Sequence, residues 1–201
     1  MNTANAAKAA KLAVLAPAFA LAGCLSLGAE PPDSLLNLTA EASVPAGTAQ
    51  SGTRASALAI HEPQVPAEID VLRVPVQVNG TEIAYLQDAV WVEKPARLFR
   101  RLLAETIRAR SGRFVIDGDD PSLFAESHLR GTLREFGYDA ATSSVVVRFD
   151  AIRQGEGGSV ESKRFEAIES GVLAEPAAVG IALNTASNQV AREVSDWLAG
   201  G

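Results

Sequence analysis

Cysteine occurs once in the 201 residues, and histidine, tryptophan and tyrosine twice each. One cysteine excludes a disulfide framework and any thiolate-rich zinc site. The histidines are His61 and His128, and no metal-ligand spacing, nucleophile elbow or phosphate-cradling glycine motif accompanies them. His61-Glu62 is the closest thing to a base with an orienting acid. With no serine or threonine motif beside it, it reads as a surface or capped histidine at a strand end, not as the centre of a periplasmic enzyme. Asp117, Gly118, Asp119 and Asp120 have the composition of a calcium loop, but Pro121 interrupts it and Glu126 comes too early for the distal ligand. That stretch reads as a solvated turn. Basic charge is also short: a net charge of −6 argues against a general nucleic-acid binder. The apolar run 12–21 is about half of the roughly twenty residues that a membrane span requires.

What that short run does offer is a secretory signal. Lys8 and Lys11 precede it, no acid appears before Glu30, and small residues follow at the cut. The stretch Leu21-Ala22-Gly23-Cys24 looks like the lipobox of bacterial lipoproteins. Small Ala22 and Gly23 let the backbone lie extended in a peptidase cleft. Cys24 supplies the one sulfur that a diacylglycerol donor can alkylate. The expectation is a signal peptide over 1–23, a lipidated tether over 24–33 and a folded domain over 34–199. The only added groups are covalent, diacylglycerol and an N-acyl chain such as palmitate on Cys24, and no cofactor is called for.

Along the domain, 34–39 alternates weakly as a first strand, and 40–55 is rich in Ala, Gly, Ser and Thr, which reads as a loop or a loosely held crossing segment. Residues 56–60 read as a buried strand. The run 69–78 alternates into Asn79-Gly80, the strongest two-residue hairpin signal, which predicts Thr81, Ile83 and Tyr85 opposite Val78, Val76 and Val74. Pro75 places this strand at or near a sheet edge. Glu93-Lys94-Pro95 starts a helix with Leu98, Phe99, Leu102, Leu103 and Ile107 on one stripe and Gly112 as its stop. Residues 114–116, 129–136, 144–152 and 160–168 read as strands, the last two joined by a hairpin at 155–158. A second helix runs from 176 to about 198, with Val179, Leu183, Ala186, Val190, Val194 and Trp197 on one side. The spacing predicts an α+β (mixed α/β) fold: a single sheet of about five to seven strands with two amphipathic helices packed on one face.

The first helix carries Arg97, Arg100, Arg101, Arg108 and Arg110 opposite its apolar stripe. Guanidinium groups suit phosphate and carboxylate, so this face is the candidate for acidic lipid headgroups or an acidic partner. The plainer reading is a solvated face with Glu105 as partial counter-ion. Trp91 and Trp197 read as core residues.

The segment Val71–Trp91, with its valine-proline strand and its Tyr85-Leu86 pair, resembles the ABC-type transport auxiliary lipoproteins, the PqiC-like lipoproteins among them. Leu102-Leu103, residues 133–139, Arg164-Phe165-Glu166 and residues 182–191 are similar to the same family, in the same order, and a departure is Leu35-Leu36-Asn37-Leu38 in place of Tyr-Tyr-x-Leu. The resemblance implies a non-catalytic accessory subunit of a lipid transporter. Its partners would be an MCE-domain protein and an ABC permease and ATPase, with a homo-oligomer also allowed. Leu25 and Ser26 after the cysteine favour the outer membrane, facing the periplasm. A lipoprotein regulator of cell-wall synthesis or envelope assembly is the competing reading.

Overall fold

The computed structural model describes residues 34–118 and 124–200. Period-two runs of β-branched and aromatic residues become seven strands: β1 Leu58–Ile60, β2 Arg73–Asn79, β3 Glu82–Val90, β4 Val115–Ile116, β5 Ser127–Asp139, β6 Ser144–Gln154 and β7 Val160–Ser170. The two period-four stretches become α1 Pro95–Ser111 and α2 Pro176–Ala199, each with proline in its first turn. Gly112 closes α1 at φ 65°, its N–H donating to Arg108 O at 3.2 Å. The fold is α+β, with one mixed sheet of all seven strands.

β5 organises that sheet. Its whole length pairs antiparallel with β6, from His128 opposite Gln154 to Asp139 opposite Ser144. Its other edge is shared. β1 runs parallel to Ser127–Leu129, an isolated bridge joins Gln64 to Thr132, and β2 runs parallel at Tyr138 and Asp139. β7, β4 and β3 extend outward from β6, β1 and β2.

A bulge decides which side chains of β5 enter the core. The register steps from Leu133 opposite Phe149 to Glu135 opposite Arg148, so Arg134 is an extra residue. Before it Leu129 and Leu133 face inward; after it the phase reverses and Phe136 and Tyr138 do. Gly131 is required beside this point, because a Cβ there would stand 2.3 Å from Asp150 O and 2.5 Å from the Phe149 ring. The Phe149 ring occupies that space and meets Phe99 of α1 edge-on, centroids 5.3 Å apart. Phe165, paired with Phe149 across β6 and β7, meets Trp197 of α2 at 5.6 Å. Both helices therefore cover the same face, as the sequence pattern predicts. Each buried aromatic or leucine there contributes about 1.5–3 kcal/mol.

The other face of β5–β7 is a ladder of alternating charge. Asp150 lies between Arg134, 2.9 Å away, and Arg164, 2.6 Å away; Arg148 lies between Glu135 and Glu166. The Arg164 guanidinium, then Arg134, hold the Asp150 carboxyl down to about 2.

Three expectations need correction. The β2–β3 turn is Gly80-Thr81, not Asn79-Gly80: Tyr85, Ala84 and Ile83 lie opposite Pro75, Val76 and Gln77, one residue out of the predicted register. Asn79 Oδ1 accepts from the Thr81 N–H at 3.0 Å and its hydroxyl at 3.1 Å, which fixes Asn79 as the residue before the turn. Val78 becomes a bulge with no partner on β3, and the register beyond it stays one residue from the predicted one. Residues 34–39 form no strand beyond a single bridge from Leu36 to Trp91. Trp197 is half-buried at the rim of the core, under Arg153 at 4.9 Å, whereas Trp91 is 1% exposed. β2, the Pro75 strand, lies near the sheet edge as expected, second from it and inside β3.

The crossing segment is not loosely held. Asn184 Oδ1 accepts from the Thr39 N–H at 2.8 Å, and Asn188 Oδ1 from the Glu41 N–H at 2.9 Å. Asn188 Nδ2 donates to Thr39 O at 2.9 Å, and Glu105 Oε1 accepts from the Val44 N–H at 2.7 Å. Glu41 also pairs with Arg192. Residues 34–44 form a strap held across both helices by these polar side chains as well as by Leu38, which is buried in the core, and by Leu36 and Ala40 packed against it.

Asn188 is 1% exposed, so Asn188→Ala leaves strap groups unpaired and costs about 1–3 kcal/mol. The expected result is a lower denaturant midpoint with faster amide exchange at Glu41; an unchanged midpoint contradicts the clamp. Asp150 supplies a pH test. Its folded pKa lies below the unfolded value of about 3.9, so its stabilisation is complete above that value and is lost as pH falls toward about 2. Asp150→Asn is expected to flatten the melting-temperature profile between about pH 4 and pH 2, the window set by these two values. An unaltered slope there would show that the ladder is uncoupled from folding.

Candidate functional site

Cys24, with Leu21, Ala22 and Gly23 before it, lies outside the described residues, as do Asp119 and Asp120 of the acidic turn. Asp117 stands 3.7 Å from Arg108. Among the described residues no three metal-ligating side chains come together, and no helix is long and apolar enough to cross a membrane.

Arg97, Arg101 and Arg108 share one side of α1 with Arg100 beside them, positioned by the register of the apolar stripe, while Arg110 turns toward α2. Arg97 reaches Glu62 at 3.3 Å and Glu93 at 3.5 Å, and Arg101 pairs with the other Glu93 oxygen. Arg108 binds Glu105 at 2.7 Å, the same carboxylate that holds the strap, and Arg110 binds Asp196 of α2 at 2.6 Å. Arg100 is half-buried. The side chains of Arg97 and Arg101 remain about half exposed, at 56% and 52%. Surface ion pairs are worth about 0–1 kcal/mol, and a guanidinium has five donors. An incoming phosphate or carboxylate can therefore join or replace these acids at little cost.

Two cavities flank the central strand. One, of about 510 Å³, opens between the β2–β3 hairpin and the end of β5, with Ile69, Pro75, Ile83 and Phe136 as apolar lining and Gln77 and Arg134 among the polar groups. Its floor needs Gly137, where a Cβ would stand 2.5 Å from Pro75 O. The other, of about 630 Å³, lies at the opposite end of β5 among Leu58, Arg113, His128, Arg153, Val160 and Leu198. Arg113 donates to Ser56 O at 3.2 Å, and burial pushes its pKa down. Trp197 Nε1 donates to Glu161 at 3.0 Å; that bond and then Arg153 hold the Glu161 carboxyl below its usual range.

The two histidines meet. His61 Nε2 and His128 Nδ1 are 3.0 Å apart, one donating and the other accepting, where β1 leaves β5. The sequence separates them by 67 positions and carries no signal for the contact, which depends on the parallel pairing of β1 with β5. The clamp of Asn184 and Asn188 did leave a signal: two asparagines four apart inside a helix, where the residue is otherwise disfavoured.

A search of the curated proteins finds no match. Among solved structures, protein XCC0632 from Xanthomonas campestris is similar at a TM-score of 0.65 and 19% identity, over 82% of this chain and 94% of that one. An uncharacterized protein is similar at 0.64 and 14% identity, over 75% of this chain and 96% of its own. At these identities the likeness shows the fold. The family model for the ABC-type transport auxiliary lipoprotein component matches residues 37–195, a span that includes the strap's clamp, the hairpin, the whole sheet and nearly all of α2. The chain belongs to the ABC-type transport auxiliary lipoprotein component family.

Proposed function

We propose that this protein is a non-catalytic, lipid-anchored accessory subunit of an MCE-type ABC lipid transport system, held at the outer membrane facing the periplasm. Its task is to dock an MCE-domain protein and, through it, the permease and ATPase that supply the energy. The observation that carries the reading is the strap. Nine residues separate Cys24 from Ser34, where the described chain begins, and residues 39–44 are then fixed to α1 and α2. An acyl group on Cys24 would thus hold a whole folded domain, not a loose tail, at a short distance from the bilayer. Family membership as a transport auxiliary component supports the same reading. Arg97, Arg100, Arg101 and Arg108 are the residues proposed to receive acidic groups of a partner or of lipid headgroups.

Two measurements test this. In-cell crosslinking of the tagged, lipidated protein followed by mass spectrometry is expected to recover an MCE-domain protein, with or without its ABC subunits. Recovery of a cell-wall synthase or an assembly machine instead would replace the proposal with a regulatory role. For the anchor, Cys24→Ser is expected to abolish palmitate labelling and leave a precursor or a released periplasmic form, and labelling that survives the substitution would refute it.

A further inference from the structure

α2 has an unusual distribution of charge. After Glu175 no charged residue occurs until Arg192. The exposed positions in that stretch, Ala177, Ile181 and Thr185, are spaced four apart and so share one face. A helix face open to water normally carries charge, as α1 does with Arg97 and Arg101. This face instead carries Ile181 at 71% exposure.

The strap adds to it. The Leu36 side chain lies directly on Gly180, where a Cβ would be 2.7 Å from Leu36 Cδ2. That contact brings the chain neighbours of each, Leu35 and Ile181, to the same corner of the domain. Leu35 is 51% exposed, and Leu173, two residues ahead of the α2 cap, is 66% exposed. Val92, also exposed, is tied in by its N–H donating to Leu36 O at 2.9 Å.

We infer that this corner, Leu35, Leu173 and Ile181 with the uncharged face of α2, is a bilayer-contacting surface that rests in the headgroup–acyl boundary beside the anchor. The inference rests on the proposed acylation of Cys24. The path of the chain selects the bilayer. Even fully extended, the ten steps of chain from Cys24 to Ser34 span at most about 35 Å. The strap end of the domain is therefore kept near the membrane, while the far end of α2 lies about 36 Å along the helix. Membrane-surface helices bury their apolar face by about 5–10 Å, a depth that these side chains can reach. A second copy of the chain fits less well. The apolar side chains here offer a few hundred Å² at most, against about 800 Å² per partner for a stable interface.

The single cysteine makes a direct test practical. In the mature protein the Cys24 thiol would carry lipid, so Ile181→Cys would introduce the sole free thiol. A Val160→Cys protein serves as the reference, since Val160 is similarly exposed at 67% and adjoins Glu161, the partner of Trp197 at the other end of α2. Each lipidated protein is labelled with nitrobenzoxadiazole and reconstituted into phosphatidylethanolamine–phosphatidylglycerol vesicles containing a nitroxide lipid. Flotation with the vesicles is recorded first. The expected result is a blue-shifted label at position 181, quenched several-fold more than the label at 160. Equal quenching at the two positions in a floating protein would overturn the contact surface and leave the anchor standing. A protein that does not float would overturn the anchor, and the contact surface with it. Disulfide-linked dimers through position 181, formed without quenching, would overturn the inference in favour of a second copy.

Discussion

One strand carries two jobs on its two edges, and the domain depends on that division. β5 needs an unbroken partner on one side to be stable, and β6 provides it over eleven paired positions. The other side is divided among β1, Gln64 and β2, so three separate parts of the chain are registered against one rigid line. The Arg134 bulge lets this work. Without the phase change, Phe136 and Tyr138 would point to the charged face while Leu129 and Leu133 stayed inside. The same extra residue supplies Arg134 to Asp150, so one irregularity serves both the core and the outer ladder.

The two faces of the sheet consequently differ in kind. The covered face is close-packed, with Phe149 held between Gly131 and Phe99 and little tolerance for a change of volume. The outer face keeps its charges in cross-strand pairs of opposite sign, which satisfies each group without burying it. Cross-strand charges of this kind also blunt association with stray strands. The helix layer is different again: α1 presents arginines, and the first half of α2 presents no charge at all.

The sequence was most informative where local periodicity and packing agree. The stripes of α1 and α2, the alternation of Val145, Val147 and Phe149, and proline and glycine at the ends of α1 were all legible, because each is set within a few residues. The hairpin register was not. Asn79 can enter a turn or precede it, and its side-chain bonds to Thr81 decide between the two only once the strands are paired. Trp197 completes an apolar stripe, yet its indole N–H needs an acceptor and finds Glu161 at the rim. The strap was only partly legible: Leu36 and Leu38 alternate, but the hydrogen bonds that fix residues 39–44 come from Asn184, Asn188 and Glu105, which are distant in the chain. The family resemblance reached further than periodicity did, since it depended on the order of many weak motifs rather than on any one of them.

For a subunit proposed to dock a partner, the placement of weak and strong contacts matters more than their number. Of the groups that fix the domain to its strap, Asn188 is buried and should not compete with a partner. The arginines of α1 are the opposite case. The acids Glu62 and Glu93 belong to the same chain and meet Arg97 and Arg101 in exposed pairs that salt would screen, whereas Glu105 meets Arg108 in a partly buried one. A partner with its own carboxylates could take over these donors with little net loss, gaining orientation and association rate rather than affinity. Glu105 links the two classes. It accepts from the Val44 N–H with one oxygen and from Arg108 with the other, so a change in the partner of Arg108 would be felt first at the strap. The link from Arg108 to the strap is thus one carboxylate long.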